Sequence, residues 1–170
     1  VGGQGKGNGR RPTCQFGWRV NLDKPKSPLV PPRPGAKFED MPTSIYKLLA
    51  RILEKFVMPD VNCETHGAFL LNAYRPPQGI FWHTDHGEYD DMVCVLSLGG
   101  YVTIVFRHKV DKSREFHIFV PARSLFFFWG ELRWDYEHSI EKSASNPHRV
   151  SYTYRTVKIG TDGKAKDNTP

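Results

Sequence analysis

The sequence predicts a mostly β fold of the α+β class, a barrel-like or two-sheet jelly roll with one helix packed outside. Two observations predict it. A single stretch has the apolar period of a helix, and eight short runs after it alternate with a period of two. A chain of 170 residues, 13% of them aromatic, is long enough for one domain with one core and is not the composition of a disordered chain.

The helix is predicted by apolar residues at positions i, i+3, i+4, i+7, i+8 and i+11. These residues are Ile45, Leu48, Leu49, Ile52, Leu53 and Phe56. Pro42-Thr43-Ser44 supplies a start signal, and Pro59 lies beyond the end. We expect this helix to face the core and to carry no function.

The strands are predicted after Pro59, where Val, Ile, Phe, Tyr and Trp alternate with polar residues between turn sequences. They span 68–75, 79–84, 92–98, 101–107, 115–120, 124–129, 135–140 and 149–157. We expect residues 13–159 to form the domain. Residues 1–12 are expected to be a flexible basic tail, and residues 160–170 a frayed C-terminal tail.

Positive charge is concentrated near the N terminus. Residues 1–35 hold seven basic residues against Asp23 alone, and this excess equals the net charge of the chain, +6. A basic arm on a neutral body favours a nucleic-acid partner. The alternatives are a solvated tail or the remnant of an organellar transit peptide.

Composition also limits the compartment. No apolar run is long enough to span a membrane, so we expect no membrane partner. Cys14, Cys63 and Cys94 are far apart and form no CxxC pair. They indicate a reducing intracellular compartment, the cytoplasm or nucleus, with an organelle as the alternative. We expect a monomer.

His83-Thr84-Asp85 is the first motif that carries chemistry. In a strand, residues i and i+2 point to the same side, so an imidazole and a carboxylate face one cavity. They offer two ligands to a first-row metal, and a second histidine would complete a two-His-one-carboxylate set. His138, in a late strand, is the candidate, with a satisfied core histidine as the alternative.

The last strand is the second motif. Alternation places four polar side chains on one face: Arg149, Ser151, Thr153 and Arg155. Two inward guanidinium groups suit the capture of a short diacid, because arginine binds carboxylates in a bidentate manner. Asn72 and Tyr74, again i and i+2, offer an amide and a phenol to the same acid. An exposed strand face with surface arginines is the alternative.

The order of these motifs resembles that of the AlkB family of Fe(II)- and 2-oxoglutarate-dependent dioxygenases. The resemblance covers roughly residues 14–157 and includes Ser97-Leu98-Gly99 and Gly130-Glu131-x-Arg133. It implies a double-stranded β-helix with a supporting N-terminal helix and an N-terminal lid segment. It also implies Fe(II), 2-oxoglutarate and O2 as cofactor and cosubstrates.

The resemblance further implies roles for individual residues. It matches His83, Asp85 and His138 to the family's iron ligands. It matches Arg149, helped by Tyr74, to the contacts of the distal carboxylate of 2-oxoglutarate. The residues on the C1 side and an additional hydrogen-bonding position correspond to Arg155, Asn72 and Ser151. The implied reaction converts 2-oxoglutarate to succinate while a C–H bond is hydroxylated, which removes the group if it is an N-methyl.

The segment Gln15–Val20 resembles the family's nucleotide-recognition lid. Trp18 beside Arg19 could stack on a base and meet a phosphate, and a packed tryptophan after an edge strand is the alternative. Base-repair members often continue as HxDxD, where this chain has Gly87. Glu88, the next residue, is the candidate acidic substrate contact. His86 is expected at the rim rather than on the metal.

The sequence therefore predicts a dioxygenase that demethylates or hydroxylates modified nucleic acid, RNA or DNA. The alternatives are the same chemistry on a protein side chain and a non-catalytic jelly-roll binding module. The turn Arg107–Arg114 is a second candidate phosphate contact, with a soluble hairpin as its alternative.

Overall fold

The computed structural model describes residues 11–32, 43–56 and 66–170. Its helices are α1 (Thr43–Phe56) and α2 (Glu131–Trp134). Its strands are β1 (Thr13–Gly17), β2 (Gly67–Tyr74), β3 (Ile80–His83), β4 (Tyr89–Gly99), β5 (Val102–His108), β6 (Glu115–Val120), β7 (Ser124–Phe128), β8 (Tyr136–Ile140) and β9 (Arg149–Val157). In these ranges no helix has the length and apolar character needed to cross a bilayer.

All eight predicted strands are confirmed, with ends shifted by at most three residues. Together with β1 they form two antiparallel sheets, one of five strands in the order β1-β2-β9-β4-β7 and one of four in the order β3-β8-β5-β6. The predicted mostly β jelly roll is therefore confirmed. The strand not counted among the eight is β1, which pairs with β2 at the edge of the larger sheet.

Strict alternation along β9 gives the larger sheet two different faces. Tyr152 and Tyr154 lie on its outer face in an apolar cluster with Phe69 of β2, and Ile45 of α1 packs against that cluster. The helix predicted from the 3.6-residue period thus covers the outer face of the sheet. The inner face is left for the polar residues of β9.

The space between the sheets is filled by a second apolar cluster. Phe106 of β5 is completely buried at its centre, with the Phe128 ring in an edge-on contact at 5.4 Å. Burying side chains of this size stabilises the fold by about 1.5–3 kcal/mol each. The cluster fixes the distance between the sheets and forms the apolar wall of the cavity described below.

The chain ends differ from expectation. Ile159 and Ala165 form a β-bridge, and the amide of Asn168 donates to the Gly87 carbonyl at 2.9 Å. The prediction of a frayed C-terminal tail is therefore wrong for this structure, because the tail folds back onto the turn after β3. Most of the predicted N-terminal tail, and Cys63, lie outside the described residues.

Gly79 permits the close approach of β3 and β8. A Cβ atom at this position would lie 2.2 Å from the Ile140 carbonyl oxygen and 2.9 Å from the Glu141 carbonyl carbon. Because both atoms are backbone, neither can rotate away. We expect Gly79→Ala to lower the free energy of unfolding by about 1–3 kcal/mol, in the range of other overpacking changes. Denaturant unfolding measures this loss, and an unchanged midpoint would contradict the close approach.

Candidate metal and cosubstrate site

The predicted metal ligands converge at one end of the smaller sheet. His83 of β3 and His138 of β8 are register partners, and their ring centroids are 4.2 Å apart. Asp85 follows β3 directly. One ligand atom from each of the three residues lies within 4.8 Å of the others, which is the spacing of a three-ligand metal site. Neighbouring antiparallel strands thus join two residues far apart in sequence.

A backbone contact sets the tautomer of His83. Its Nδ1 lies 2.9 Å from the Phe81 carbonyl oxygen. A carbonyl can only accept, so Nδ1 carries a proton and donates, and Nε2 is the ring atom left for a metal. Metal-ligating histidines are commonly oriented by such a contact from the second ring nitrogen.

Asp85 is held by a buried ion pair. Arg155 Nη2 donates to Asp85 Oδ1, and both side chains are more than nine-tenths buried. Burial alone would raise the pKa of Asp85, but Arg155 and the two histidines outweigh it, and the pKa lies well below its usual range. The carboxyl is therefore ionised, as a metal ligand must be.

His138 is half-buried, with two phenylalanine rings against it. The ring centroids of Phe106 and Phe128 lie 5.5 Å and 5.3 Å from that of His138. Burial, and then the neighbouring His83, lower the pKa of His138 to about 3. The imidazole is neutral near pH 7, which leaves a lone pair for a metal.

The larger sheet supplies the opposite wall of the same cavity. Asn72 pairs with Ser151, and Tyr74 with Arg149, across β2 and β9. The cavity, about 520 Å³ including its open mouth, is lined by all eight predicted metal and cosubstrate residues. They are Asn72, Tyr74, His83, Asp85, His138, Arg149, Ser151 and Arg155.

Arg149 is 4% exposed, so the alternative of a surface arginine is wrong. Its Nε donates to Ser97 Oγ at 2.9 Å, and its guanidinium carbon lies 5.2 Å from the Tyr74 ring centroid. Its Nη1 is buried and has no hydrogen-bond partner in the part of the chain that the structure describes. A buried, unpaired N–H is costly, so this atom is suited to an anionic oxygen that enters the cavity.

Residues 6–160 match the 2OG-Fe(II) oxygenase superfamily. The chain belongs to this superfamily. The chain is also similar to proteins named ALKBH, and we call it AlkB-like for that reason. ALKBH8 of Mus musculus, a tRNA (carboxymethyluridine(34)-5-O)-methyltransferase, is 29% identical over 127 residues, 74% of this chain and 19% of that protein. The uncharacterized protein L905 of Acanthamoeba polyphaga mimivirus is 24% identical over 127 residues, 69% of this chain.

This AlkB-like chain spans 60% of the length of the viral relative and about a fifth of the mouse relative. The solved structure of OsALKBH1 superposes with a TM-score of 0.53 at 15% identity, covering 89% of this chain and 82% of that one. At that identity the superposition shows the shared fold alone.

The site of this AlkB-like oxygenase fits the Fe(II) and 2-oxoglutarate that its superfamily uses. Asp85 Oδ2 is buried and accepts no hydrogen bond within the described ranges. A carboxylate oxygen in that state, beside the imidazoles of His83 and His138, matches the facial donor set of non-haem Fe(II) oxygenases. The unpaired Nη1 of Arg149 provides the corresponding match for a cosubstrate carboxylate.

Arg133 of the AlkB-like chain binds the backbone at the predicted metal ligand Asp85 and at the next residue. It is 2% exposed, and its Nη2 donates to the His86 carbonyl at 2.7 Å. A longer contact, 3.4 Å, joins its Nη1 to the Asp85 carbonyl. The sequence offered only the Gly130-Glu131-x-Arg133 resemblance as a signal, with no indication of this contact.

Arg11 reaches the cosubstrate end of the cavity from the N-terminal segment. Its Nε donates to Asn72 Oδ1 at 2.7 Å and its Nη1 to the Gly79 carbonyl at 3.1 Å. The guanidinium carbon lies 5.2 Å from the Tyr74 ring centroid. In the sequence Arg11 is only one of the basic residues of the N-terminal arm, since no local pattern connects it to β2.

The predicted lid residues are not arranged for base stacking. Trp18 is 4% exposed and packs in a cluster with Leu29 and Tyr89. Its ring therefore offers no open face to a base, and the structure favours the alternative of a packed tryptophan after edge strand β1. Arg19 donates to the Pro31 carbonyl at 3.2 Å, and Glu88 accepts from the Leu29 amide at 2.7 Å. Glu88 thus holds the segment that covers Trp18.

Two further predictions concern residues around the site. His86 lies outside the metal-binding group, with its Nε2 3.0 Å from the Ser27 carbonyl oxygen. Arg107 at the end of β5 and Lys112 in the turn after it both contact Glu137, at 2.8 Å and 2.6 Å. These paired cations favour the soluble-hairpin alternative over a phosphate contact.

Proposed function

We propose that this AlkB-like chain is an Fe(II)- and 2-oxoglutarate-dependent dioxygenase that demethylates or hydroxylates modified nucleic acid. One observation carries the proposal: the His-Asp-His group and two buried arginines, Arg149 and Arg155, line one cavity. Chemistry that uses iron and a keto acid together requires a metal site and a diacid site in the same cavity.

Residues of the smaller sheet would hold the iron through His83 Nε2, the Asp85 carboxylate and His138. When bound, Fe(II) with 2-oxoglutarate and O2 supplies the oxidation of a C–H bond, releasing succinate and CO2. Arg155 keeps Asp85 ionised and in place. Asp85 in turn offsets the positive charge of Arg155, which would otherwise be buried alone.

Residues of the larger sheet would orient the cosubstrate. Arg149 Nη1 and the Tyr74 hydroxyl would bind its distal carboxylate. Asn72, Ser151 and Arg155 would hydrogen-bond at the keto-acid end. The apolar residues between the sheets limit water near the metal, which strengthens these charged contacts.

A nucleic-acid substrate is supported by two features, the basic N-terminal arm and the similarity to ALKBH8, which is a tRNA methyltransferase by name. Hydroxylation of an N-methyl carbon gives a hemiaminal, which breaks its C–N bond to release formaldehyde and the demethylated amine. Hydroxylation at a carbon-bound group would stop at the alcohol.

The substrate class is tested by incubating the purified chain with Fe(II), 2-oxoglutarate and panels of modified RNA, DNA and peptides. Succinate formation and the mass of each substrate are measured together. We expect RNA or DNA to lose 14 mass units or gain 16, which are nominal masses of CH2 and O, with an equal yield of succinate. Turnover on peptides alone would replace nucleic acid with a protein substrate, and no succinate with iron bound would overturn the proposal.

We predict that Arg11→Gln weakens 2-oxoglutarate binding by about 5- to 10-fold. Arg11 occupies the Oδ1 of Asn72, which leaves the N–H donors of this amide for a cosubstrate oxygen, and Asn72 lines the cavity. Losing one such orienting bond costs about 1–1.5 kcal/mol. Titration calorimetry with Mn(II)-loaded protein measures the dissociation constant directly.

Arg19→Gln is the matched control, because it removes the same charge as Arg11→Gln. Arg19 contacts the Pro31 carbonyl and does not line the cavity. Its dissociation constant for 2-oxoglutarate should equal that of the unaltered chain. Equal weakening in both variants would mean that general charge, rather than the Asn72 contact, is responsible.

A further inference from the structure

Phe81 is an exposed aromatic residue beside the metal ligands. It lies on β3 two residues before His83, and its own carbonyl accepts the hydrogen bond that sets the His83 tautomer. Its side chain is nevertheless 76% exposed. A phenyl ring left in water keeps its apolar area available for a contact with a partner.

Lys142 accompanies this ring. Its Nζ lies 4.6 Å from the Phe81 ring centroid, within the range of a cation–π contact. Lys142 follows the end of β8, and Phe81 lies on the paired strand β3. The ring and the ammonium group therefore come from the same two strands that carry His83 and His138.

The Phe81–Lys142 pair lies close in the chain to residues of the cavity wall. Ile80, next to Phe81, is the register partner of Ile140, and both line the cavity wall. At the same end of β3, the Gly79 carbonyl accepts from Arg11, which continues the basic N-terminal segment. An aromatic ring and two cations from three parts of the chain thus lie around β3, the strand whose Ile80 and His83 line the cavity.

We propose that Phe81 and Lys142 form a binding rim for single-stranded nucleic acid. A base of the strand stacks on Phe81, and Lys142 contacts a phosphate of the same strand. The inference rests on the proposed nucleic-acid function and specifies how the strand is held at this site. It assigns to Phe81 the stacking role that the buried Trp18 cannot perform.

The chemistry of the pair favours nucleic acid over an acidic peptide. Every base has a flat π face, so one exposed ring holds a strand without regard to its sequence, and an adjacent cation neutralises the backbone. An acidic peptide would use Lys142 and gain little from the ring. Binding that depends on both side chains therefore distinguishes the two partners.

The test is fluorescence anisotropy with short labelled single-stranded RNA and DNA oligonucleotides and with an acidic peptide. The full chain is compared with Phe81→Ala, Phe81→Trp and Lys142→Gln. We expect Phe81→Ala to weaken oligonucleotide binding about fivefold or more, and Phe81→Trp to retain it, since stacking needs only a flat ring. Lys142→Gln should reduce the slope of log affinity against log salt by about one phosphate contact.

Phe119→Ala is the matched control. Phe119 is 62% exposed on β6, whereas Phe81 is on β3, so the two phenylalanines lie at opposite edges of the same four-stranded sheet. Its oligonucleotide affinity should match that of the unaltered chain. Thermal unfolding of each variant shows that the fold is kept.

The outcomes separate this inference from the function on which it rests. If the chain binds oligonucleotides and Phe81→Ala binds them equally well, the rim is overturned while the nucleic-acid function stands. If the unaltered chain binds only the peptide, or neither probe, the nucleic-acid function and the rim are both overturned.

Discussion

Replacing Asp85 by alanine should abolish iron-dependent succinate formation, with a loss of at least about 100-fold. Contacts that merely orient metal ligands are worth 10- to 100-fold, and Asp85 is the anionic ligand itself. Its Oδ2 is buried without a hydrogen-bond partner among the described residues, so no neighbouring group is placed to take over. Succinate release and Mn(II) binding by titration calorimetry measure the two expected losses.

Asp85→Ala also removes the counter-ion of buried Arg155, which could cost about 3–5 kcal/mol of stability. Asp85→Asn separates these effects, because asparagine keeps the size of the side chain and can accept from Arg155 through its amide oxygen. Circular dichroism should show that Asp85→Asn is folded. Titration calorimetry should show that it binds Mn(II) weakly. Asp162→Asn, an exposed acid beside Lys164, should leave Mn(II) binding unchanged. Normal metal affinity in Asp85→Asn would contradict the assignment.

Replacing Arg149 by alanine should weaken 2-oxoglutarate binding by roughly 30-fold or more while Mn(II) binding persists. Arg149 is buried with Nη1 unpaired, so a carboxylate that enters the cavity gains a charge-assisted bond that alanine cannot supply. Removing one partner of a buried charged contact costs about 2–5 kcal/mol. Calorimetric titration of Mn(II)-loaded protein with 2-oxoglutarate gives the change.

Two variants sharpen the Arg149 experiment. Arg149→Lys keeps the charge but loses the planar fork and the Nε bond to Ser97, so we expect partial recovery of affinity. Arg107→Gln changes a β5 arginine that pairs with Glu137 and does not line the cavity, and cosubstrate affinity should be unaffected. If Arg149→Ala binds 2-oxoglutarate as tightly as the unaltered chain, the distal carboxylate lies elsewhere.

Local periodicity was enough to predict the parts of the site that lie within single strands. Alternation in β9 placed Arg149 and Arg155 on one face, and the structure puts both in the cavity wall. The helix period likewise predicted α1. These patterns succeed because each shows which side of a helix or strand is buried, and side chains spaced by the period of that element lie on the same side.

Contacts between distant segments could not be predicted from local periodicity. The Trp18 ring is buried in a cluster with Leu29, and Glu88, far along the chain, accepts from the Leu29 amide. The contact of Arg11 with Asn72 and that of Arg133 with the His86 carbonyl have the same character. A side chain that acts across the fold leaves no period in its own neighbourhood, so only the folded arrangement identifies it.

The most direct test of the proposed centre is anomalous diffraction from crystals grown with Mn(II), which occupies Fe(II) sites without turnover, and 2-oxoglutarate. We predict one manganese peak bonded to His83, Asp85 and His138, with the distal carboxylate of 2-oxoglutarate on Arg149. A peak elsewhere, or His138 turned away from the metal, would contradict the account.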